Sequence, residues 1–183
     1  MGVDRRFFEA PDPEIMYDFV YVGAMDSSRN FHNVQDFFVR NPKHSILLIG
    51  RATDELYDAY KRHPNIIFAG AVSYQDVPRL AKQARYALNY IPNKYPYSLQ
   101  TSTKLLEYVA MGMKVVTTSY HWVNHFEAQR KMRFYKIRED FSGFDWNELD
   151  AFSFCNTGIE DLTWEHILRN SGLDDALMRL LGE

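Results

Sequence analysis

The sequence predicts an α/β fold in which a doubly wound parallel sheet carries helices on both faces. Short apolar runs alternate with amphipathic stretches about five times between residues 18 and 118, which is the rhythm of consecutive βα units. The run at 45–50 is almost continuously apolar, as a strand covered on both faces must be. With 183 residues, 46% of them hydrophobic, the chain is long enough for one domain with a substantial core.

The individual elements follow from the spacing of apolar residues along the chain. Strands are predicted at 18–23, 45–50, 65–70, 86–90 and 115–117, with a further strand at 134–137. Helices are predicted at 31–39, 54–62, 74–84, 104–111, 146–152, 163–169 and 173–181. Residues 1–15 carry Pro11 and Pro13 and no clear period, so they are interpreted as a lead-in to the domain.

Composition and charge exclude several classes of protein. A net charge of −3 argues against a nonspecific nucleic-acid partner. The single Cys155 cannot form an internal disulfide and is typical of a reducing compartment. No apolar run approaches the length of a membrane span, and the first residues lack the apolar core of a signal peptide. We therefore expect a cytoplasmic protein without a transmembrane segment or a nucleic-acid partner.

Common cofactor and metal motifs are missing from the sequence. There is neither a G-x-G-x-x-G dinucleotide fingerprint nor a G-x-x-x-x-G-K-[ST] phosphate loop, and no Asp-x-Asp pair could hold a metal–diphosphate. His121 and His125 have a helical spacing that suits zinc, but no third ligand lies nearby, which favours a surface pair. The sequence predicts no metal site and no cofactor.

The most informative stretch is a polar loop that leads into the helix predicted at 104–111. The start of such a helix offers free backbone N–H groups, the positive end of the helix dipole and, here, the ammonium of Lys104. Glu107 lies on the same helix face and is not used in a capping box, because Lys104 cannot act as the cap. This face could hold a phosphate at its tip and a hydroxylated group one turn deeper, as in a nucleotide-sugar site.

A diphosphate site is therefore predicted around Arg29, Ser102, Thr103 and Lys104, with Glu107 accepting hydrogen bonds from ribose hydroxyls. Each charged residue also has an ordinary alternative. Arg29 and Lys104 could be solvated surface charges, and Glu107 could simply stabilise the first helical turn. An anionic ligand would explain why a cation occupies the first turn, where it opposes the helix dipole.

Other loops that follow strands should share the same rim, because the carboxyl ends of parallel strands lie at one edge of the sheet. Glycines at these strand ends allow backbone to approach a ligand closely, although a glycine can also merely end a strand. Tyr74 could stack on a base or pack in the core, and Arg51 could lie at the surface. The residues predicted near the base or sugar are Gly23, Arg51, Val72, Tyr74, Gln100 and Thr101.

The segment 18–118 resembles the C-terminal, donor-binding half of a GT-B glycosyltransferase and is most similar to the GT4-like retaining group. The most specific piece is K-L-L-E-Y-V-A-M-G-M-K-V-V at 104–116, which resembles the family signature K-L-x-E-Y-x-A-x-G-x-P-V-V. G-V-D-R-R-F-F at 2–8 is similar to the G-V-D-x-x-x-F linker between the two halves. Trp164-Glu165 resembles the pair that opens the terminal helices.

The resemblance implies a retaining, metal-independent transfer of sugar from a UDP- or GDP-linked donor, as in polysaccharide biosynthesis. A saccharide or lipid-linked acceptor would bind through a separate N-terminal half, without which the domain would be inactive. Residues 1–15 would be the linker from that half, and residues 16–183 the nucleotide-sugar-binding domain. In the full-length enzyme, peripheral association with a membrane is compatible with the family.

The resemblance also implies residue roles and shows departures. Glu107 matches the second glutamate of the E-x7-E motif, which holds ribose, while Arg29 and Lys104 match basic positions near the diphosphate. Leu99 replaces the first glutamate of that motif, and Lys114 replaces a proline. The departure at Leu99 keeps two alternatives open, namely an enzyme similar to a nucleotide-sugar epimerase and a noncatalytic GT-B-like binding domain.

Overall fold

The computed structural model describes residues 1–173, and six strands of this part form one parallel sheet. The strands are β1 (Tyr17–Val22), β2 (Ile46–Ile49), β3 (Ile66–Gly70), β4 (Ala84–Asn89), β5 (Lys114–Thr118) and β6 (Tyr135–Ile137). Their order is β3-β2-β1-β4-β5-β6, and every neighbouring pair is parallel. The strand order reverses between β1 and β4, which is where doubly wound sheets bind ligands. The predicted fold class is confirmed.

Helices cover both faces of the sheet. They are α1 (His32–Arg40), α2 (Asp54–Tyr60), α3 (Val77–Ala81), α4 (Thr103–Ala110), α5 (His121–Arg130), α6 (Trp146–Ala151) and α7 (Trp164–Asn170). On one face, Val20 and Ala87 of the sheet belong to the same buried cluster as Leu105 of α4. On the other face, Phe19 packs with Phe38 of α1. Alternate strand residues therefore face opposite cores, as the period of a β-strand requires.

Two helices differ from the sequence prediction. The helix expected at 74–84 begins only at Val77, because residues 73–76 form a turn and Pro78 suits the first helical turn. Helix α5 was not predicted, since it buries only Val123 and Phe126 and its apolar stripe is weak. The helix predicted at 173–181 lies almost wholly outside the described residues.

The lead-in segment packs against the domain. Val3 and Phe7 are buried in the core that contains α4. The Val3 N–H donates to the Leu162 carbonyl oxygen at 2.7 Å, and the Trp164 N–H donates to the Val3 carbonyl oxygen at 3.1 Å. The segment predicted to be a linker is therefore fixed at its first residues, while the domain boundary at residue 15 stays a prediction.

The backbones of two strand-end loops come into close contact at the carboxyl edge of the sheet. The Gly23 N–H donates to the Ile49 carbonyl oxygen at 2.9 Å, and Gly50 lies directly against the Gly23 carbonyl. A Cβ at Gly50 would overlap that carbonyl, and Gly50 has a φ of +133°, a conformation that side chains rarely adopt. Glycine at position 50 is therefore required for both space and conformation.

We predict that Gly50→Ala lowers the free energy of unfolding by about 3 kcal/mol, because it combines backbone strain with overlap. The matched control is Gly70→Ala, since Gly70 has a φ of +70° but open space around its Cβ position. This control should cost only about 1–2 kcal/mol. Urea unfolding followed by circular dichroism measures both values, and equal losses would contradict the packing argument.

Candidate functional site

A small cavity lies at the point where the strand order reverses. It has a volume of about 180 Å³ and is lined by Arg29, Ile91, Tyr97 and residues 100–104. Six of the residues predicted from sequence to form the site therefore lie together: Arg29, Gln100, Thr101, Ser102, Thr103 and Lys104. The volume suits a diphosphate, whereas whole drug-sized ligands need pockets of about 300–1,000 Å³.

The ammonium of Lys104 is buried at this cavity. Lys104 is only 8% exposed, and its Nζ donates a hydrogen bond to the Tyr21 hydroxyl at 2.9 Å. The same Nζ lies 4.1 Å from the centroid of the Tyr21 ring, which is a cation–π contact. Within residues 1–173, no carboxylate forms an ion pair with Lys104. A neutral phenol therefore holds the cation in place without neutralising its charge.

Arg29 contributes a second cation to the cavity. Its Nε lies 3.5 Å from the Asp26 carboxylate, which makes an ion pair but no hydrogen bond. Its guanidinium also lies 5.5 Å from the centroid of the Tyr97 ring, and the Tyr97 hydroxyl is 3.3 Å from the Ser28 hydroxyl. These contacts hold Arg29 in a short 3-10 turn before α1, and its buried Nε has no hydrogen-bond acceptor among residues 1–173.

The start of α4 is fixed by a buried polar network. The Ser102 hydroxyl donates to the Asn89 side-chain oxygen at 2.7 Å and accepts from the Leu105 N–H at 3.3 Å. The fully buried Asn89 amide donates in turn to the hydroxyls of Thr117 and Tyr120 at 2.9 and 3.1 Å. The Ser102 hydroxyl is thus already hydrogen-bonded to protein groups. Contact of Ser102 with a diphosphate would therefore have to involve its backbone.

Backbone donors at the amino end of α4 remain available for a ligand. Among the described residues, the N–H groups of Thr103 and Lys104 have no hydrogen-bond acceptor. Thr103 and Lys104 line the same cavity, so a charge, the positive end of the helix dipole and free donors belong to one site. Gly23 keeps this space open, because a Cβ there would lie 3.2 Å from the Lys104 Nζ.

Glu107 projects from the same helix as Lys104, one turn later. Its carboxylate is half-buried and accepts a hydrogen bond from the Tyr74 hydroxyl at 2.9 Å. Burial raises the pKa of Glu107 above its ordinary value, although the Tyr74 hydrogen bond and the Lys104 charge act in the opposite direction. Tyr74 itself is 49% exposed, with its ring against Phe7 and Arg6 of the lead-in. The contacts of Tyr74 with Glu107, Phe7 and Arg6 are not predicted by the sequence.

The remaining predicted residues lie around the rim. Arg51 is exposed, and Val72 is half-buried against the core. Leu99 is 57% exposed and ends a 3-10 turn beside the cavity, so an apolar side chain occupies that part of the rim. His121 and His125 lie exposed on α5, and no cluster of three potential metal ligands occurs within residues 1–173.

Sequence reasoning missed Tyr21 and Asn89 as parts of the site. Asn89 had a visible signal, because it is a lone amide at the end of an apolar strand. No such signal marks Tyr21, because aromatic residues in strands commonly pack in the core. Its contact with Lys104 also joins residues 83 positions apart.

Residues 30–144 match a family described as "Glycosyl transferase-like". The chain belongs to this glycosyl transferase-like family. Its fold is similar to AviGT4, a glycosyltransferase involved in avilamycin A biosynthesis, with a TM-score of 0.64 and 14% identity over 100% of this chain and 57% of AviGT4. No curated protein sequence matches the chain significantly.

Two further solved structures are similar. Sucrose-phosphate synthase from Thermosynechococcus elongatus has a TM-score of 0.62 and 15% identity over 98% of this chain and 52% of the synthase. The C-terminal domain of the group 1 glycosyl transferase LpcC from Francisella tularensis has a TM-score of 0.54 and 16% identity, covering 81% of this chain and 86% of that domain.

These comparisons confirm the predicted resemblance to C-terminal domains of GT-B glycosyltransferases. The glycosyltransferase-like chain spans only 57% of AviGT4 and 52% of the synthase. No helix in the described part of the chain is both long and apolar enough to cross a membrane.

We predict that Ser102→Ala destabilises the domain by about 2–3 kcal/mol, because it removes a helix cap and leaves the buried Asn89 oxygen without a donor. Thr53→Ala is the matched control, since Thr53 caps α2 through the Leu56 N–H but is itself exposed. The control should lose only about 1 kcal/mol in urea unfolding. If both variants lost the same free energy, the network would not stabilise the start of α4.

Proposed function

We propose that this domain is the donor-binding half of a glycosyltransferase that uses a UDP- or GDP-linked sugar. The observation that carries the proposal is the buried Lys104 ammonium beside the cavity, without a carboxylate partner in the described part of the chain. Burying a cation without an ion-pair partner is costly, and a bound anion offsets that cost. A diphosphate fits the size of the cavity and the sign of its charge.

The same groups would assist transfer of the sugar. As the glycosidic bond opens, negative charge grows on the leaving diphosphate, and fixed cations and N–H donors stabilise it most when they are already in place. Lys104 is held by Tyr21, and Arg29 by Asp26 and Tyr97. We propose that these side chains and the amino end of α4 serve where other enzymes use a metal, so that transfer is metal-independent.

The rest of the donor extends from this cavity along the rim. The Glu107 carboxylate is the acceptor for ribose hydroxyls, since its Oε2 has no hydrogen bond from residues 1–173. The base lies towards Gly23, Arg51 and Val72. The exposed Leu99 offers the sugar no hydrogen bond, so the polar side chains of Gln100, Thr101 and Thr103 take that role.

The proposal for the whole enzyme extends beyond this domain. A saccharide or lipid-linked acceptor binds through a second half, which closes over the donor cleft, and transfer retains the anomeric configuration. The exposed free thiol of Cys155 is typical of a reducing compartment, so we place the enzyme in the cytoplasm, at the membrane surface where the acceptor is lipid-linked. Synthesis of a polysaccharide is the proposed setting.

We predict that Lys104→Met weakens binding of UDP or GDP by at least about tenfold, because it removes a charged hydrogen-bond donor while keeping the stem. Lys114→Met is the matched control, since Lys114 is exposed at the amino end of β5, opposite the cavity. Isothermal titration in the presence of EDTA measures both variants. Equal affinities of the Lys104→Met variant and the unmodified chain would refute the diphosphate site.

We predict that UDP affinity falls as the pH is lowered. The fall should begin at a higher pH than it would for a glutamate with an ordinary pKa. Burial raises the pKa of Glu107, so its carboxylate becomes protonated early and then offers ribose fewer acceptor sites. Glu107→Gln should lower UDP affinity at neutral pH and leave only the pH dependence that comes from the terminal phosphate, whose second pKa is about 6. Inorganic pyrophosphate, which has no ribose, should bind Glu107→Gln at least as tightly as it binds the unmodified chain. An unchanged pH profile in Glu107→Gln would contradict the ribose role.

A further inference from the structure

We propose that Tyr74 is the positioning residue of the pentose subsite and that the lead-in segment Asp4–Phe7 holds Tyr74 in place. This inference rests on the proposed function, because it assumes that Glu107 receives ribose hydroxyls. It goes beyond that function by making donor affinity depend on a segment that lies outside the sheet and its crossover helices.

The hydrogen bond from Tyr74 determines which carboxylate oxygen faces the ligand. The Tyr74 hydroxyl donates to Glu107 Oε1 at 2.9 Å. The last torsion of a glutamate side chain is broad and soft, so an unheld carboxylate samples many orientations. With Oε1 fixed by Tyr74, Oε2 and the remaining lone pair of Oε1 keep constant directions for two ribose hydroxyls.

Tyr74 needs external support because it follows β3 in a turn and is 49% exposed. The support comes from the lead-in. The buried Phe7 ring lies 5.3 Å from the Tyr74 ring, centroid to centroid, and the Arg6 guanidinium lies 5.4 Å from the Tyr74 centroid. Asp4 fixes Arg6 in turn, through a 2.8 Å bond from the Arg6 Nε and a 3.0 Å bond from its backbone N–H.

The groups around Glu107 determine the pH at which its carboxylate is ionised. The Tyr74 hydroxyl and the Lys104 ammonium favour the ionised form, whereas burial and the Asp4 carboxylate favour the protonated form. Arg6 faces Tyr74 and is paired with Asp4. Removing the Tyr74 hydroxyl therefore raises the pKa of Glu107 further, so that the carboxylate is lost at a higher pH. If Tyr74 only stabilised the fold, removing its hydroxyl would leave the pKa of Glu107 unchanged.

The arrangement connects two distant parts of the chain. The lead-in is also anchored at Val3, whose backbone forms hydrogen bonds with Leu162 and Trp164. A displacement of residues 4–7 therefore changes the support of Tyr74 and, through it, the orientation of Glu107. The pentose subsite is assembled from α4, the turn after β3 and the lead-in, and all three are needed for full affinity.

The test compares Tyr74→Phe with the unmodified chain by isothermal titration of UDP, GDP and inorganic pyrophosphate between pH 5 and 8. Tyr74→Phe should weaken binding of the preferred nucleotide about fivefold to tenfold, as loss of one hydrogen bond to a charged group predicts. Pyrophosphate affinity should not change. The midpoint of the pH-dependent loss of nucleotide affinity should move to higher pH in Tyr74→Phe. Arg6→Ala should give a smaller shift in the same direction.

Tyr57→Phe is the matched control, since Tyr57 is a similarly exposed tyrosine on α2 that packs against Phe68. An NMR titration of the Glu107 carboxyl, without nucleotide, provides an independent measurement. Its pKa should rise in Tyr74→Phe and stay constant in Tyr57→Phe.

Two kinds of failure can be distinguished. If Glu107→Gln weakens nucleotide binding but Tyr74→Phe leaves both affinity and pKa unchanged, or tightens binding, Tyr74 is not a positioning residue while the proposed function stands. If the unmodified chain binds neither nucleotide, or Glu107→Gln has no effect on binding, the proposed function fails and the inference is overturned with it.

Discussion

The buried contact between Lys104 and Tyr21 is the interaction on which the candidate site depends. It brings a cation from the first turn of α4 onto the end of β1, across the point where the strand order reverses. The phenol satisfies one donor of the ammonium and places a ring face beneath it, but leaves its charge in full. The adjoining cavity is therefore lined by a cation that has no ion-pair partner among residues 1–173.

The position of α4 is fixed by hydrogen bonds at several points along its length. The Val22 N–H donates to the Tyr108 hydroxyl at 2.8 Å, which ties the helix to β1. The Ser102–Asn89 bond ties its first turn to β4, and the Tyr74–Glu107 bond ties its exposed side to the turn after β3. Because these three hydrogen bonds fix the helix, its free N–H groups keep constant directions, which is the requirement for electrostatic preorganisation.

The sequence was sufficient for the fold class and for gathering the cavity residues, because parallel strands place their following loops at one edge. It was not sufficient for the partners of those residues. The pairing of Lys104 with Tyr21 depends on the register of β1 against a helix 83 positions away, which no local pattern encodes. The support of Tyr74 by Phe7 likewise depends on where the lead-in packs. Helix α5 was missed because Val123 and Phe126 alone make too weak an apolar stripe.

A crystal structure of the chain with bound UDP or GDP would show where the diphosphate lies. We expect a phosphate oxygen about 2.7–2.9 Å from the Lys104 Nζ, the length of a charge-assisted hydrogen bond. The other phosphate oxygens should face the backbone N–H groups at the amino end of α4. A diphosphate bound elsewhere on the rim, with the Lys104 ammonium contacting only Tyr21, would show that Lys104 does not bind the diphosphate.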